Sequence, residues 1–511
     1  MNFLYPNGKD KCAKVSEDTY RNLALEEIVE MIAVTNDDKA LIKNAFSLLP
    51  QDKETILFRQ EIIKDFVEND AICEKLGEIL KKLDVLKEYN VHNHFIANKK
   101  SSLWEYIDYI CEMDIYVQII EELNSLFDES TLTSKGLLEI AKSLKEAIDI
   151  DRIDELKEIV RTQRTDISTL KSVMVGVNLT QDLRPEEVQI LEYRPFPFKS
   201  KFKAKTAWGP SIASGKQVRY DEAVSHMMKA MSADMEKHLS KSLKKNKEIL
   251  HEYINFKGYF LLDICNDLKT YLLIAKFGRI LRDKGYDISY PVLNDGNEVR
   301  INGIYNIRLT TKNLDEIVKN DFAFENKERL FILTGPNRGG KTMLTQAVGI
   351  NAFFAAQGMY VTADSYEGFV FDGILTHFPA DENESLDLGR LGEEAVRVCD
   401  IVKKATDRTL VLLNETYSST SSVDGVYLAK DLVHILKHKN VPTVFNTHLH
   451  DLARQVDEMN KWDGAGDVVS LSMEIEENVN TYKVVRKEPD SCSYARNIAL
   501  KYGITYEQML S

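Results

Sequence analysis

Cysteine is sparse in this 511-residue chain. Its six cysteines (Cys12, Cys73, Cys111, Cys265, Cys399 and Cys492) are scattered, with no CxxC pair. That argues against a disulfide framework or a zinc site, and for a reducing cytoplasm. No run of about 18 or more apolar residues occurs, so no membrane span is expected. The opening "MNFLYPNGKDKC" has no basic stretch leading into an apolar core, so it does not read as a secretory signal. Positive charge is in deficit overall, with a formal net charge of −14. A protein that coats nucleic acid over its whole surface is therefore not expected, although a local basic patch is compatible with that balance. Internal repeats and low-complexity tracts are also missing. What remains, 44% hydrophobic and 29% charged residues, fits a globular protein of two to four domains.

Proline is absent from Gln51 to Arg184 and again from Ser211 to Tyr290. Both stretches are rich in Leu, Ile, Glu and Lys, with apolar residues at helical spacing. Ile56, Ile63 and Phe66 form one such series, and Leu76, Ile79, Leu83 and Leu86 another. In the second stretch Val224, Met228, Met231, Met235, Leu239 and Leu243 step by three or four. A single helix of about 40 residues there would span roughly 60 Å, the length of a lever or coiled-coil arm. Between the two stretches, "SVMVGVNL" and "EVQILEY" read as strands. They are followed or flanked by Pro185, Pro195, Pro197 and Pro210. This segment reads as a small β-containing insertion at the tip of a helical arm.

After Pro291 short apolar runs alternate with helical patterns. "RLFILTG", "TLVLLNE" and "VPTVFNTH" are strand-like, whereas "KTMLTQAVGINAFFAAQ" and "GVYLAKDLVHILKHK" are helix-like. Such alternation predicts a parallel α/β sheet. Gly335, Pro336, Asn337, Arg338, Gly339, Gly340, Lys341 and Thr342 match G-x(4)-G-K-[ST], between a strand and a helix. Glycine lets backbone N–H groups turn towards phosphate oxygens, and the helix N-terminus adds partial positive charge. Lys341 is the residue to reach the β- and γ-phosphates of ATP, and Thr342 the one to ligate Mg²⁺. A chance glycine turn would not have both flanks correct. A second strand ends in Asn414-Glu415, where nucleotide hydrolases of this loop type carry an acidic pair for Mg²⁺ and water. Glu415 is the candidate general base. Asn414 carries no charge, so weaker Mg²⁺ binding or slower turnover is expected. The bland reading is a decayed nucleotide binder that does not hydrolyse. A third strand ends in Asn446-Thr447-His448, which places His448 towards the ligand crevice of the sheet.

Together "TGPNRGGKT", "LVLLNETYSSTSSVDG" and "TVFNTHLHDLA" resemble the ATPase domain of the MutS DNA mismatch repair family. "VLNDGNEVRINGIYN" resembles the lead-in to that domain. "LLPQDKETILFRQEIIKDF", with Arg59-Gln60, resembles the family's core domain. The resemblance implies a mixed fold. Residues 1–170 would form an all-α core and ascending lever, and residues 171–215 a small β-containing clamp insertion. Residues 216–288 would supply the descending lever helices, and residues 289–511 an α/β P-loop ATPase domain of ABC-like type. It further implies a homodimer through the ATPase domains, arms that close around DNA, and ATP-driven changes in arm geometry. Carried over by position, Lys341 and Thr342 bind phosphate and Mg²⁺, Glu415 activates water, and His448 is the switch histidine. Thr342, Asn414 and Glu415 form the implied metal set, and Asp424 would face the dimer partner.

The sequence also departs from that family. Helices resembling the core begin within the first 60 residues, so no mismatch-reading domain is expected. Phe66-Val67-Glu68 and Phe127-Asp128-Glu129 match its Phe-x-Glu wedge, but both lie in helical patterns and read as chance. The serine normally offered to the partner's nucleotide has no clear counterpart in "ESLDLGRLGEEAV", where Ser385 or Gly389-Arg390 would substitute. Ile317 aligns with the base-stacking aromatic. From the residues after "SYARNIALKYGITYEQML", a shortened C-terminal dimer element and no nuclease-like tail are expected.

From Arg194 to Lys247 there are 13 Lys/Arg against 4 Asp/Glu, and "RPFPFKSKFKAK" interleaves aromatics with lysines. Placed at an arm tip, these suit DNA backbone phosphates. The bland reading is a solvated lysine-rich face. The leading hypothesis is an ATP-dependent, nucleotide-switched DNA clamp that hydrolyses ATP slowly and has no mismatch sensor of its own. The alternative is an ATP-gated dimeric protein scaffold that binds no nucleic acid. A metabolite kinase or transporter ATPase is weak, since neither an LSGGQ signature nor a membrane segment is present.

Overall fold

The computed structural model describes residues 2–96, 103–127, 132–168, 171–182, 185–198, 231, 233–235, 237, 256–312, 316–325, 327–379, 389–476, 479–489 and 503–510. They fall into two units. The first comprises Met1–Cys73, Thr133–Gly136 and Asn266–Ser511; the second comprises Glu74–Leu132 and Leu137–Cys265. Helices and sheets are both present, so the fold is mixed α/β. Among the described residues, no helix is long and apolar enough to cross a membrane.

The first unit is organised by a six-stranded sheet. Its order is Gly373–His377, Thr409–Asn414, Thr443–Asn446, Glu328–Thr334, Asp467–Glu476 and Val479–Arg486. The first five strands run parallel and the last is antiparallel. "TLVLLN" is buried at every position and "ERLFILT" at all but its first. Such unbroken apolar runs are what a parallel strand covered on both faces requires. Leu330, Ile332, Val411, Leu413 and Phe445 form a core on one face with Val433 and Leu436 of helix Ser422–His438. On the alternate face, Leu412 meets helix Lys341–Ala356, and Phe331 packs against Phe322 at 4.9 Å between ring centroids. Phe322 belongs to a second, four-stranded sheet of Val292–Leu293, Ser365–Gly368, Val299–Ile304 and Asn320–Phe324.

The amino-terminal residues cover the exposed edge of the larger sheet. From helix Glu17–Asn22, Thr19 donates to the Ile374 carbonyl at 2.9 Å, and Asn22 donates to the Thr376 hydroxyl at 3.0 Å. Gln346 of helix Lys341–Ala356 in turn donates to the Asn22 carbonyl at 2.8 Å. Helix Lys53–Glu68 buries Ile56, Ile62, Ile63 and Phe66, so the Phe66-Val67-Glu68 match is a core-facing helical segment.

In the second unit, helices Leu103–Leu126 and Ile153–Ser168 pack together. "SVMVGVNL" forms strand Ser172–Leu179, antiparallel to Pro185–Arg194. Buried Asp151 accepts from the Lys257 and Gly258 backbone N–H groups at 2.9 and 3.2 Å, and from the Tyr116 hydroxyl. Asp128 and Glu129, and most of the stretch from Val224 to Leu243, lie outside the described residues.

Helix Lys341–Ala356 must approach the sheet closely to present its N-terminus correctly, and Gly349 permits this. A Cβ at Gly349 would lie 2.5 Å from Leu412 and 2.6 Å from Leu23. Gly349→Val is therefore expected to overpack this contact and destabilise the unit by about 1–3 kcal/mol. The urea midpoint of a probe in this unit would show it, and an unchanged midpoint would refute the close-approach argument.

Candidate functional site

Strand Glu328–Thr334 runs directly into the glycine-rich loop, and helix Lys341–Ala356 starts directly after it. Gly335 has φ 138°, and a Cβ there would lie 2.8 Å from the Cβ of Met473. Gly340, with φ 97°, stands at the helix N-cap, and no side chain caps the first turn. Those N–H groups are left for an outside acceptor, and the helix dipole favours an anion there. Lys341 is buried, and its Nζ donates to the carbonyls of Gly335 and Pro336, each at 3.1 Å. Burial pushes its pKa down, opposed by the Glu415 carboxylate.

The two neighbouring strand ends arrive in register. Asn414 lies opposite Asn446, and Asn446 opposite Leu333. The Thr342 hydroxyl donates to Asn414 Oδ1 at 3.2 Å, and the Asn446 amide donates to the same oxygen. Asn446 Oδ1 is buried with no protein partner. An orphaned acceptor beside a threonine hydroxyl suits the waters that a bound Mg²⁺ retains. Among the described residues, no cluster of three or more His, Cys, Asp or Glu could hold a metal alone. The donor set of Thr342, Asn414 and Glu415 therefore fits an ion held largely by phosphate oxygens, as Mg²⁺ commonly is. Sequence reasoning missed Asn446, although its place at a strand end, like that of Asn414, was a signal.

Glu415 begins the turn after its strand, and its own N–H donates to the Asn446 carbonyl at 2.8 Å. Its φ is 53°. That conformation costs a non-glycine residue about 1–2 kcal/mol, so the surroundings must hold it. Its carboxylate meets His448 Nε2 at 3.1 Å. Burial raises the Glu415 pKa, and the Lys341 ammonium opposes the rise. Burial, followed by the nearby Lys341 and His450, pushes His448 down to about 4. At neutral pH the imidazole is uncharged, so this close contact is not an ion pair. A raised carboxylate beside a neutral imidazole can accept a proton from water.

Lys341, Thr342, Glu415 and His448 line a cleft of about 650 Å³ with Tyr305, Ile317 and Tyr482. Ile317 is on the cleft wall, so an aliphatic side chain stands where the family resemblance implies an aromatic. Tyr482 supplies an aromatic ring beside Gly340: a Cβ built at Gly340 would lie 3.3 Å from it. Asn337 and Arg338 are exposed on the loop, and Asn480 donates to the Arg338 carbonyl at 3.4 Å. Asp424 sits in the first turn of helix Ser422–His438, where it interacts with the N-cap Ser421. Gly389 and Arg390 open helix Gly389–Lys404. Ser385, Lys241, Lys244, Lys245, Lys247 and most of the basic stretch from Arg194 lie outside the described residues.

The fold and site define an α/β domain with a phosphate-loop motif at the carboxyl edge of a largely parallel sheet, the edge where such sheets bind ligands. Comparison with known proteins narrows this. Residues 331–507 match the family model for MutS domain V, and residues 51–281 match the model for the MutS2 N-terminal domain. The chain is 25% identical over 451 residues to the DNA mismatch repair protein MutS of Clostridioides difficile, covering 81% of this chain and 45% of that protein. It is 24% identical over 498 residues to the protein of the same name from Fusobacterium nucleatum, covering 92% and 54%. A third such protein, from Fervidobacterium nodosum, is 30% identical over 258 residues, covering 47% and 30%. Both matched regions are MutS-family domains, and the chain is similar to MutS proteins over most of its length. It spans about half the length of the first two relatives.

The His448 imidazole should remain neutral well below its ordinary value of 6.5, with an NMR titration midpoint near 4. Between those values the unfolded chain takes up a proton that folded His448 refuses. This residue's contribution to stability therefore falls as pH drops through the window. A midpoint at or above 6.5 would contradict the buried, cation-flanked geometry.

Proposed function

We propose that this protein is an ATP-dependent DNA-binding protein of the MutS family, working as a nucleotide-switched dimeric clamp with slow ATP hydrolysis. The observation that carries this reading is the convergence of Lys341, Thr342, Glu415 and His448 on one cleft at the carboxyl edge of the sheet, with Asn414 hydrogen-bonded to Thr342 beside it. Gly335 to Gly340 direct backbone N–H groups at the phosphates of ATP. Lys341 exchanges its two loop carbonyls for phosphate oxygens. Thr342 and Asn414, with Glu415, would hold Mg²⁺, which when bound neutralises charge on the phosphates. Glu415 accepts a proton from the attacking water, and His448, beside it, responds to occupancy of the cleft. Because Asn414 replaces a charge with an amide, metal binding and turnover are weaker than an aspartate would give.

The DNA part of the proposal rests on the similarity to MutS proteins and on the basic stretch from Arg194 to Lys247. The arms would close around duplex or branched DNA, and homodimerisation through the nucleotide-binding domains would couple the two. The protein-scaffold reading shares the nucleotide switch and differs only in needing no basic arm.

Lys341→Ala is expected to weaken ATP binding at least tenfold by equilibrium titration. Glu415→Gln should retain binding and lose most hydrolysis in a phosphate-release assay. Wild-type turnover in both would remove the ATPase assignment. Asn414→Asp is expected to tighten Mg²⁺, lowering the Mg²⁺ concentration at half-maximal ATPase activity; no shift would exclude this side chain from the metal set. For DNA, binding to linear, mismatched and branched duplexes is measured across salt concentrations, with and without ATP–Mg²⁺. Changing Lys241, Lys244, Lys245 and Lys247 to Ala should reduce the salt slope by about one for each phosphate no longer neutralised. If ATP-bound dimer binds no DNA at low salt, the clamp is refuted and the scaffold reading stands.

A further inference from the structure

The turn that carries Glu415 is not one its own residues would choose. Glu415 and Tyr417 have φ of 53° and 63°, two left-handed non-glycine residues within three positions. The sequence "ETYSST" from Glu415 has no glycine to absorb either. Something outside the turn must hold it, and a single side chain holds it at two points. Glu394, on helix Gly389–Lys404, is only 9% exposed. Its Oε1 accepts from the Tyr417 backbone N–H at 2.8 Å, and its Oε2 accepts from the Ser419 hydroxyl at 2.9 Å. Thr416, just before Tyr417, is buried, and its hydroxyl lies 2.9 Å from His377 Nδ1. One carboxylate thus grips both ends of Tyr417–Ser419, almost directly after Glu415. A buried carboxylate is stable only when its oxygens are satisfied, so turn and carboxylate each require the other.

Resting on the assignment of Glu415 as general base, we infer that Glu394 is a positioning residue for hydrolysis. It lines no part of the cleft and touches no reacting atom. By locking Tyr417 and Ser419 it fixes the backbone of Glu415, and so the direction of that carboxylate beside His448. A general base must lie within about 3 Å of the proton it takes, and a misplacement of about 1 Å can cost on the order of 100-fold in rate. ATP binding depends instead on the loop from Gly335 and on Lys341, which Glu394 does not contact.

The test compares ATP hydrolysis, ATP affinity by equilibrium titration, and the thermal midpoint across four variants of the whole protein. Glu394→Ala should lower kcat roughly 10- to 100-fold while ATP affinity stays within about threefold. Glu394→Gln should fall between, because its amide oxygen keeps the Tyr417 bond while its NH2 cannot accept from Ser419. Adding Tyr417→Gly to Glu394→Ala should recover part of the lost kcat, because glycine adopts the left-handed conformation without penalty. Glu415→Gln separates the two levels. If it is inactive while Glu394→Ala turns over as wild type, the positioning role is overturned and the base assignment stands. If Glu415→Gln itself turns over as wild type, both fall. Parallel loss of kcat, ATP affinity and thermal midpoint in Glu394→Ala, without recovery in the double variant, would make Glu394 a general structural residue and overturn the inference.

Discussion

Parallel hydrogen bonding between three adjacent strands is the constraint on which the rest of this structure depends. Strands Glu328–Thr334, Thr443–Asn446 and Thr409–Asn414 share one direction and end level, with Leu333, Asn446 and Asn414 side by side. Everything chemically notable follows within a few residues of those ends. The glycine loop leaves the first strand, His448 follows the second, and Glu415 follows the third. Slipping one strand by a single residue would invert its apolar faces and carry its terminal polar group away from the others. Burial of both sheet faces makes such a slip costly, so the hydrophobic core fixes the positions of the polar groups.

The polar groups then interact in ways that trade stability for poise. Lys341 is buried against loop carbonyls, Glu415 occupies a strained backbone conformation, and Asn446 keeps an oxygen with no protein partner. Each of these is unfavourable locally. Their concentration around one cleft, within an otherwise well-packed unit, is the pattern by which surplus core energy sustains a binding site. The pKa directions follow the same logic. Glu415 is pushed up and His448 down because both are partly withdrawn from water, with Lys341 acting on each.

Some of this was legible in the residues. Unbroken runs such as "TLVLLN" announce buried strands, and "GPNRGGKT" between strand and helix announces a phosphate loop, because only glycine permits that backbone. The helix spacing of Ile56, Ile63 and Phe66 likewise told a core-facing segment from a Phe-x-Glu motif. Other features were not legible. Nothing in "EDTYRN" says that Thr19 and Asn22 cap the edge strand Gly373–His377, since that depends on hydrogen bonds between residues more than 350 positions apart. Asn446 stands at a strand end as Asn414 does, but its hydrogen bond to Asn414 depends on strand order and register.

The sequence by itself determined the three adjacent strands at the centre of the larger sheet, which loop can face phosphate, and which polar and charged residues stand at those strand ends. These are local properties, set by side-chain periodicity and by the backbone freedom of glycine. Only the tertiary structure decided that Asn414, Asn446 and Thr342 form one hydrogen-bonded group, that Glu415 faces His448, and that Glu394 grips the turn between strand and helix. Those outcomes depend on strand order and register, which are fixed by the packing of residues far apart in the chain.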